Sequence, residues 1–87
     1  MPLARLKQAR RKTVGSKQTA KAVAKGLAEV VFIAQDAEEH VVRDIIRACE
    51  ERGIQLVYVN SMDELGKACG IEVGAASAAI LKTETDS

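Results

Sequence analysis

Val30-Val31-Phe32-Ile33 is an unbroken apolar run of β-branched and aromatic residues. A second apolar run, Ile54 to Val59, follows it, and between the two Val41, Val42, Ile45, Ile46 and Cys49 recur at helical period. This strand–helix–strand order constrains the fold more than any other feature. A strand over Glu29–Ala34 whose residues Val30 to Ile33 are continuously apolar, without alternation, is buried on both faces and so belongs in the middle of a sheet. A helix between two strands is a crossover, which makes the strands parallel and the connection right-handed.

The rest of the chain extends the alternation. Leu3, Leu6 and Ala9 recur every third residue, with Pro2 at the start, and predict a short helix from Leu3 to about Arg10. Thr13-Val14 reads as a very short strand stopped by Gly15. Ser16 is placed to cap a helix over Lys17 to Lys25, with Ala20, Val23 and Ala24 on its apolar face and Gly26 at its end. Asp36 and Glu39 have capping-box spacing at the head of the central helix, which runs to Arg52 and ends at Gly53. Ser61 and Glu64 repeat that spacing before a short helix carrying Leu65 and Ala68, closed by Gly70. Gly74 to Leu81 is the expected last strand. Its alanines are poor strand formers, but small side chains let helices sit close on a sheet. Residues 82–87 are polar and read as a frayed tail. Four strands alternating with four helices imply an α/β protein, a three-layer α/β/α sandwich forming a single domain over residues 1–87.

Composition sets the size of that core. A chain of 87 residues buries a modest share of its surface and must pack efficiently. Phe32 and Tyr58 are its only aromatic residues, so the core is built from Val, Ile, Leu and Ala. Two cysteines exclude a disulfide-rich scaffold. No apolar run approaches the roughly 20 residues of a membrane span. The basic N-terminus is not followed by the apolar stretch of a secretory signal, so the expected location is the cytoplasm.

The net charge of +1 conceals a segregation. Residues 1–25 carry eight Lys or Arg and no acid; residues 26–87 carry the remaining five basic side chains against all 12 acidic ones, a net of −7. A basic segment in a nearly neutral protein raises the local concentration of a polyanion. Its sharpest point is Gly15-Ser16-Lys17-Gln18. A helix N-terminus offers unpaired N–H groups and a positive dipole end. Lys17 and Lys21 stand one turn apart beside it, Gln18 has both a donor and an acceptor for a base edge, and Gly15 permits a close approach. Spacing alone leaves three alternatives open: a nucleic-acid site, a solvated lysine face, or a site for another anion. Neither a P-loop nor a dinucleotide-binding fingerprint is present.

Gly70-Ile71-Glu72-Val73-Gly74 is the second candidate, two branched apolar residues around one acid between glycines. Exposed, Ile71 or Val73 could pack on a splayed base; otherwise both belong to the core. No stacking platform of aromatics accompanies them. No catalytic constellation emerges. His40 stands alone, Cys49 lies on an apolar stripe, Cys69 is near a helix end, and capping accounts for Asp36, Glu38 and Glu39. Metal and cofactor sites are not expected, and the chain reads as a binding protein rather than an enzyme.

Gly15-Ser16-Lys17-Gln18-Thr19-Ala20-Lys21-Ala22, together with Leu65-Gly66-Lys67-Ala68-Cys69-Gly70-Ile71-Glu72-Val73-Gly74-Ala75-Ala76, resembles the ribosomal L-seven-Ae/L-thirty-e family of RNA-binding proteins. The resemblance covers about residues 3–81 and is strongest to the small bacterial members of Gram-positive species. It implies a sandwich around a mixed sheet and a partner RNA containing a kink-turn, a sharply bent duplex with a short bulge and tandem sheared G·A pairs. Archaeal members read those guanines with a Gly-x-Asn-Glu-x-x-Lys pattern at a helix start. Gly15 fits the glycine, Lys17 stands where asparagine is usual, Gln18 replaces the glutamate, and Lys21 matches the lysine.

The resemblance further implies that Ile71, Glu72 and Val73 contact the flipped-out bulge nucleotide. It makes Lys25 a peripheral phosphate contact, extends the basic patch through Arg10, Arg11 and Lys12, and leaves Lys67 as a phosphate candidate. The expected RNA-binding set is Gly15, Ser16, Lys17, Gln18, Lys21, Lys25, Ile71, Glu72 and Val73. The expected protein is a monomer, ribosome-associated or accessory, with ribosomal RNA among its candidate partners and no membrane or small-molecule substrate. The alternative is a structural protein–protein module within a larger ribonucleoprotein particle.

Overall fold

The computed structural model describes residues 2–82. Its elements are α1 (Pro2–Gln8), β1 (Lys12–Val14), α2 (Ser16–Ala24), β2 (Ala28–Ala34), α3 (Glu39–Arg52), β3 (Gln55–Val59), α4 (Met62–Cys69) and β4 (Ser77–Leu81). The four strands form one sheet in the order β1-β4-β2-β3. The predicted central strand is internal, and its pairing with β3 is parallel, Val31 opposite Leu56 and Ile33 opposite Tyr58. The sheet is mixed because β4 runs antiparallel to both β1 and β2. β1, β2 and β3 therefore point the same way. Their C-terminal ends share one edge of the sheet, and α2, α3 and α4 all begin there.

Each face of the sheet carries two helices. Val30, Phe32 and Ala34 of β2 pack with Leu6 of α1 and Leu65, Ala68 and Cys69 of α4. Val31 and Ile33 pack on the other face with Ala22 and Val23 of α2 and Val42, Ile45 and Cys49 of α3. Each fully buried Val, Leu or Phe contributes about 1.5–3 kcal/mol of transfer free energy, which gives both layers an apolar seal. A register shift between Ala28 and Val30 puts these two residues on opposite faces and leaves Glu29 outside, 3.0 Å from the Arg5 guanidinium.

The alanine-rich last strand is β4, shorter than expected because it starts at Ser77 rather than Gly74. It lies inside the sheet, and Ala78 and Ala79 are fully buried against opposite layers. Burial on both faces between two strands overrides weak local propensity, and the methyl groups allow close helix packing.

Helix ends follow the expectations in part. Ser61 Oγ accepts from the Glu64 N–H at 3.1 Å, and Gly53 and Gly70 end their helices in the left-handed region. The predicted capping box at the head of α3 does not form. The N-cap there is Glu38, with no side-chain hydrogen bond. Asp36 Oδ1 instead accepts from the Met62 N–H at 2.8 Å, tying the loop after β2 to the start of α4. α1 stops at Gln8, two residues short of the expectation. α2 ends with Lys25 at its C-cap and Gly26 following at φ +73°. Of the expected frayed tail 82–87, residues 83–87 lie outside the described residues, whereas the Lys82 N–H donates to the Leu27 carbonyl at 2.8 Å.

Candidate nucleic-acid interface

α2 begins one residue earlier than its spacing suggests, because Gly15 rather than Ser16 is the N-cap. Gly15 has φ +94° and ψ 154°, backbone that side-chain-bearing residues rarely adopt. It has no side chain to offer the helix, so the first N–H groups of α2 are left without a cap and open to an anion. Ser16, expected to cap, turns its hydroxyl inward and shares a hydrogen bond with Ser77 Oγ at 3.1 Å. The Gly15 N–H also donates to the Ser77 carbonyl at 2.9 Å. One turn on, Thr19 Oγ1 and Thr13 Oγ1 lie 3.0 Å apart. Thr19 and Ser77 are fully buried, so two hydroxyl pairs fasten the first turn of α2 to β1 and β4.

The second candidate segment leads to the same serine. After α4, the Ile71 N–H donates to the Gly66 carbonyl and the Ala75 N–H to the Met62 carbonyl, both at 3.1 Å, which folds the loop back along its helix. Gly66 permits this: a Cβ there would collide with the Val73 carbonyl. The Ala34 N–H then takes the Ala76 carbonyl at 2.9 Å, and the chain enters β4 at Ser77. Ser77 thus connects the loop to the start of α2. Within the loop the two branched residues part ways. Ile71 is half-buried against the Leu6–Leu65 core, whereas Val73 is 71% exposed and Glu72 is exposed.

Lys17, Gln18, Lys21 and Lys25 are all exposed, and no ion pair engages the three lysines among the described residues. Gln18, Lys21 and Lys25 border one open depression, beside Thr13 and Leu27. The Arg10–Lys12 run divides. Arg10 and Arg11 are exposed and border a neighbouring depression. Lys12 turns toward the α1 side, where its ammonium lies 3.5 Å from the Leu6 carbonyl, and it does not extend the patch. Strand alternation explains the turn, since Thr13 faces α2 and its neighbours face the opposite layer. Lys67 forms an ion pair with Asp63 at 3.3 Å on the exposed face of α4.

His40 is exposed beside Glu38 at 3.4 Å. Cys49 and Cys69 are buried free thiols. Burial pushes both thiols up from their ordinary range; Glu50 adds to the rise at Cys49, and Lys12 partly offsets it at Cys69. Among the described residues no group of three or more His, Cys, Asp or Glu is placed to hold a metal ion.

Sequence reasoning missed Ser77 and the Thr13–Thr19 pair. The available signal was a hydroxyl in the alanine run of β4, where an apolar residue would serve packing better.

The chain is similar to an RNA-binding protein of Caldanaerobacter subterraneus subsp. tengcongensis, 58% identical over 69 residues that make up 79% of this chain and 84% of that protein. It is 43% identical over 68 residues to the large ribosomal subunit protein eL8 of Halobacterium salinarum, covering 77% of this chain and 57% of that one. Its fold matches a 15.5kD RNA binding protein of Giardia lamblia with a TM-score of 0.85 and 34% identity, over 95% of this chain and 72% of that one. Residues 2–87 match the model of the Ribosomal protein L7Ae/L30e/S12e/Gadd45 family, and the chain belongs to that family.

Proposed function

We propose that this protein binds RNA containing a kink-turn, reading its sheared G·A pairs and bulge with the start of α2 and the loop before β4. The observation that carries this reading is the meeting of the two segments at Ser77: an uncapped helix N-terminus and an exposed apolar loop, fastened to one residue. Relatives whose names say RNA-binding or ribosomal support it.

Each group has a distinct task. The Gln18 amide accepts from a guanine amino group through its oxygen and donates through its nitrogen. Lys17 serves a guanine acceptor or a phosphate. Lys21 attracts phosphate and helps position the helix on the RNA. Lys25, one turn further, meets the backbone only. Val73 packs on the flipped-out bulge nucleotide, Ile71 anchors the loop beneath it, and Glu72 contacts the adjacent nucleotides. Gly15 and Ser16 bring the open N–H groups up to the RNA. No cofactor takes part. The protein acts in the cytoplasm, as a ribosomal or accessory component.

Fluorescence-anisotropy titration tests this with a kink-turn RNA, a plain duplex of equal length and a single strand. The kink-turn is expected to bind at least tenfold more tightly than either control. Equal affinity for all three would refute the reading.

A further inference from the structure

The two edges of the sheet differ. β1 is only Lys12–Val14, and its first residue is a lysine. Short length and positive charge keep an edge strand from pairing with another chain. β3, at the other edge, is Gln55-Leu56-Val57-Tyr58-Val59, with no charge, proline or glycine. It lies within residues 53–62, the longest uncharged run of the chain.

The Gln35 N–H donates to the Val59 carbonyl at 2.8 Å, so Val59 turns its backbone toward β2. Alternation turns Val57 and Gln55 the same way, and Leu56 and Tyr58 outward. The N–H and C=O groups of Leu56 and Tyr58 therefore point away from the sheet, and no strand lies beyond them among the described residues. The side chains of both stand on the α3 face, in register with Val31 and Ile33. Leu56 is half-buried there, and Tyr58 is 49% exposed.

We infer that β3 pairs with β3 of a second copy of this chain, antiparallel about a two-fold axis at Val57, so that one continuous sheet runs through both copies. This register sets Leu56 opposite Tyr58 of the second copy as a hydrogen-bonded pair, and the two-fold repeats it. Every outward N–H and C=O of the strand then has a partner. Each exposed tyrosine packs beside a leucine, a favourable cross-strand pair.

α3 fits the same axis. Asp44, Ala48 and Glu51 border a depression shared with Ala20 and Ala24 of α2. Glu39, Arg43, Ile46 and Glu50 fall on the opposite flank of α3, toward the β3 edge. Strands lie about 4.8 Å apart, so a helix centred over β2 and β3 comes roughly 10 Å from its copy, the packing distance of two helices. Two strand residues span the length of four to five helical ones, which places the axis near Ile46 and Arg47. Ile46 then meets its own copy, and Arg43 lies beside Glu50 of the second copy. A flank of mixed sign that complements itself favours a second copy over any polyanion. This dimer departs from the monomer expected of the sequence, whose local patterns identify a strand but not what pairs with its edge.

Sedimentation velocity of the wild-type protein, from low to high micromolar concentration, should show a shift from one chain mass to two. Tyr58→Lys places an ammonium at an exposed position. It should weaken association at least tenfold and keep the wild-type circular dichroism spectrum. Disulfide trapping fixes the register. Val57→Cys, on the axis, stands about 4.5 Å from its copy between Cα atoms and should cross-link under mild oxidation. Gln55→Cys, roughly 13 Å from its copy, should not. A single chain mass at every concentration would overturn the dimer and leave the edge to another protein. Undiminished association of folded Tyr58→Lys, or cross-linking at Gln55→Cys in place of Val57→Cys, would overturn this pairing. None of these readouts involves RNA, so they decide the dimer whatever becomes of the kink-turn reading.

Discussion

The hydroxyls of Ser16 and Ser77, 61 residues apart in the chain, lie 3.1 Å apart and share a hydrogen bond. Ser77 is fully buried, and it also receives the Gly15 N–H on its carbonyl. The start of α2 and the exit of the loop before β4 are thereby held in one fixed relation. A ligand that touches both segments meets them already arranged, which saves the cost of ordering them on binding.

Removing either hydroxyl breaks the same bond. Ser16→Ala and Ser77→Ala are each expected to lower unfolding stability by about 0.5–1.5 kcal/mol. The double variant should be little worse than the worse single one. Urea unfolding of all four proteins measures the coupling, and additive losses would show that the two hydroxyls act independently.

Local signals made the elements legible, and long-range contacts account for most departures. The run Val30–Ile33 declared a central strand, and the Ser61–Glu64 spacing found its cap. Asp36 had the spacing to cap α3 but bonds the Met62 N–H, a partner 26 residues away that no local pattern announces. Ser16 looked like a cap for the same local reason and was drawn inward by Ser77. In the candidate site, the exposed lysines and Gln18 were readable from helical periodicity. That Val73 faces outward while Ile71 turns inward was not, because the loop's course depends on the close approach of Val73 to Gly66.

Gly66→Ala should act on the loop as well as on the fold. Its methyl group meets the Val73 carbonyl, which is backbone and cannot rotate away. A cost of about 1–3 kcal/mol is expected, with changed amide chemical shifts from Ile71 to Ala75. Unchanged stability and shifts would show that the loop tolerates displacement from α4.

The buried thiols predict an alkaline limit. Folding raises the pKa of Cys49 and of Cys69. The thiol form is therefore favoured by the native state, and its contribution is complete below the ordinary thiol range, near 8.5. It is lost as pH rises through the elevated native values. Unfolding free energy should fall as pH rises above the ordinary thiol range, and a Cys49→Ala/Cys69→Ala variant should show a shallower fall there. Identical pH profiles would remove the thiols from the explanation. Alkylation without reductant should modify both cysteines in unfolded protein and neither quickly in the folded state.

Base reading and backbone attraction should separate by residue. Gln18→Ala should cost about 1–3 kcal/mol on the kink-turn and little on a plain duplex. Lys25→Ala should weaken both RNAs alike and reduce the salt slope by about one unit. A base-edge hydrogen bond exists only where the groove exposes the right group, whereas every RNA offers phosphate. The opposite pattern in anisotropy titrations would reverse the two assignments.

The most direct measurement is the affinity of the unmodified protein for a kink-turn RNA and for the same RNA with its sheared G·A pairs replaced, at low and at high salt. Both affinities should fall as salt rises, because both RNAs meet the lysines of α2. The preference for the intact kink-turn should persist at high salt, because it comes from Gln18 and the Val73 loop rather than from charge. A preference that vanishes at high salt, or is absent at both, would contradict the account.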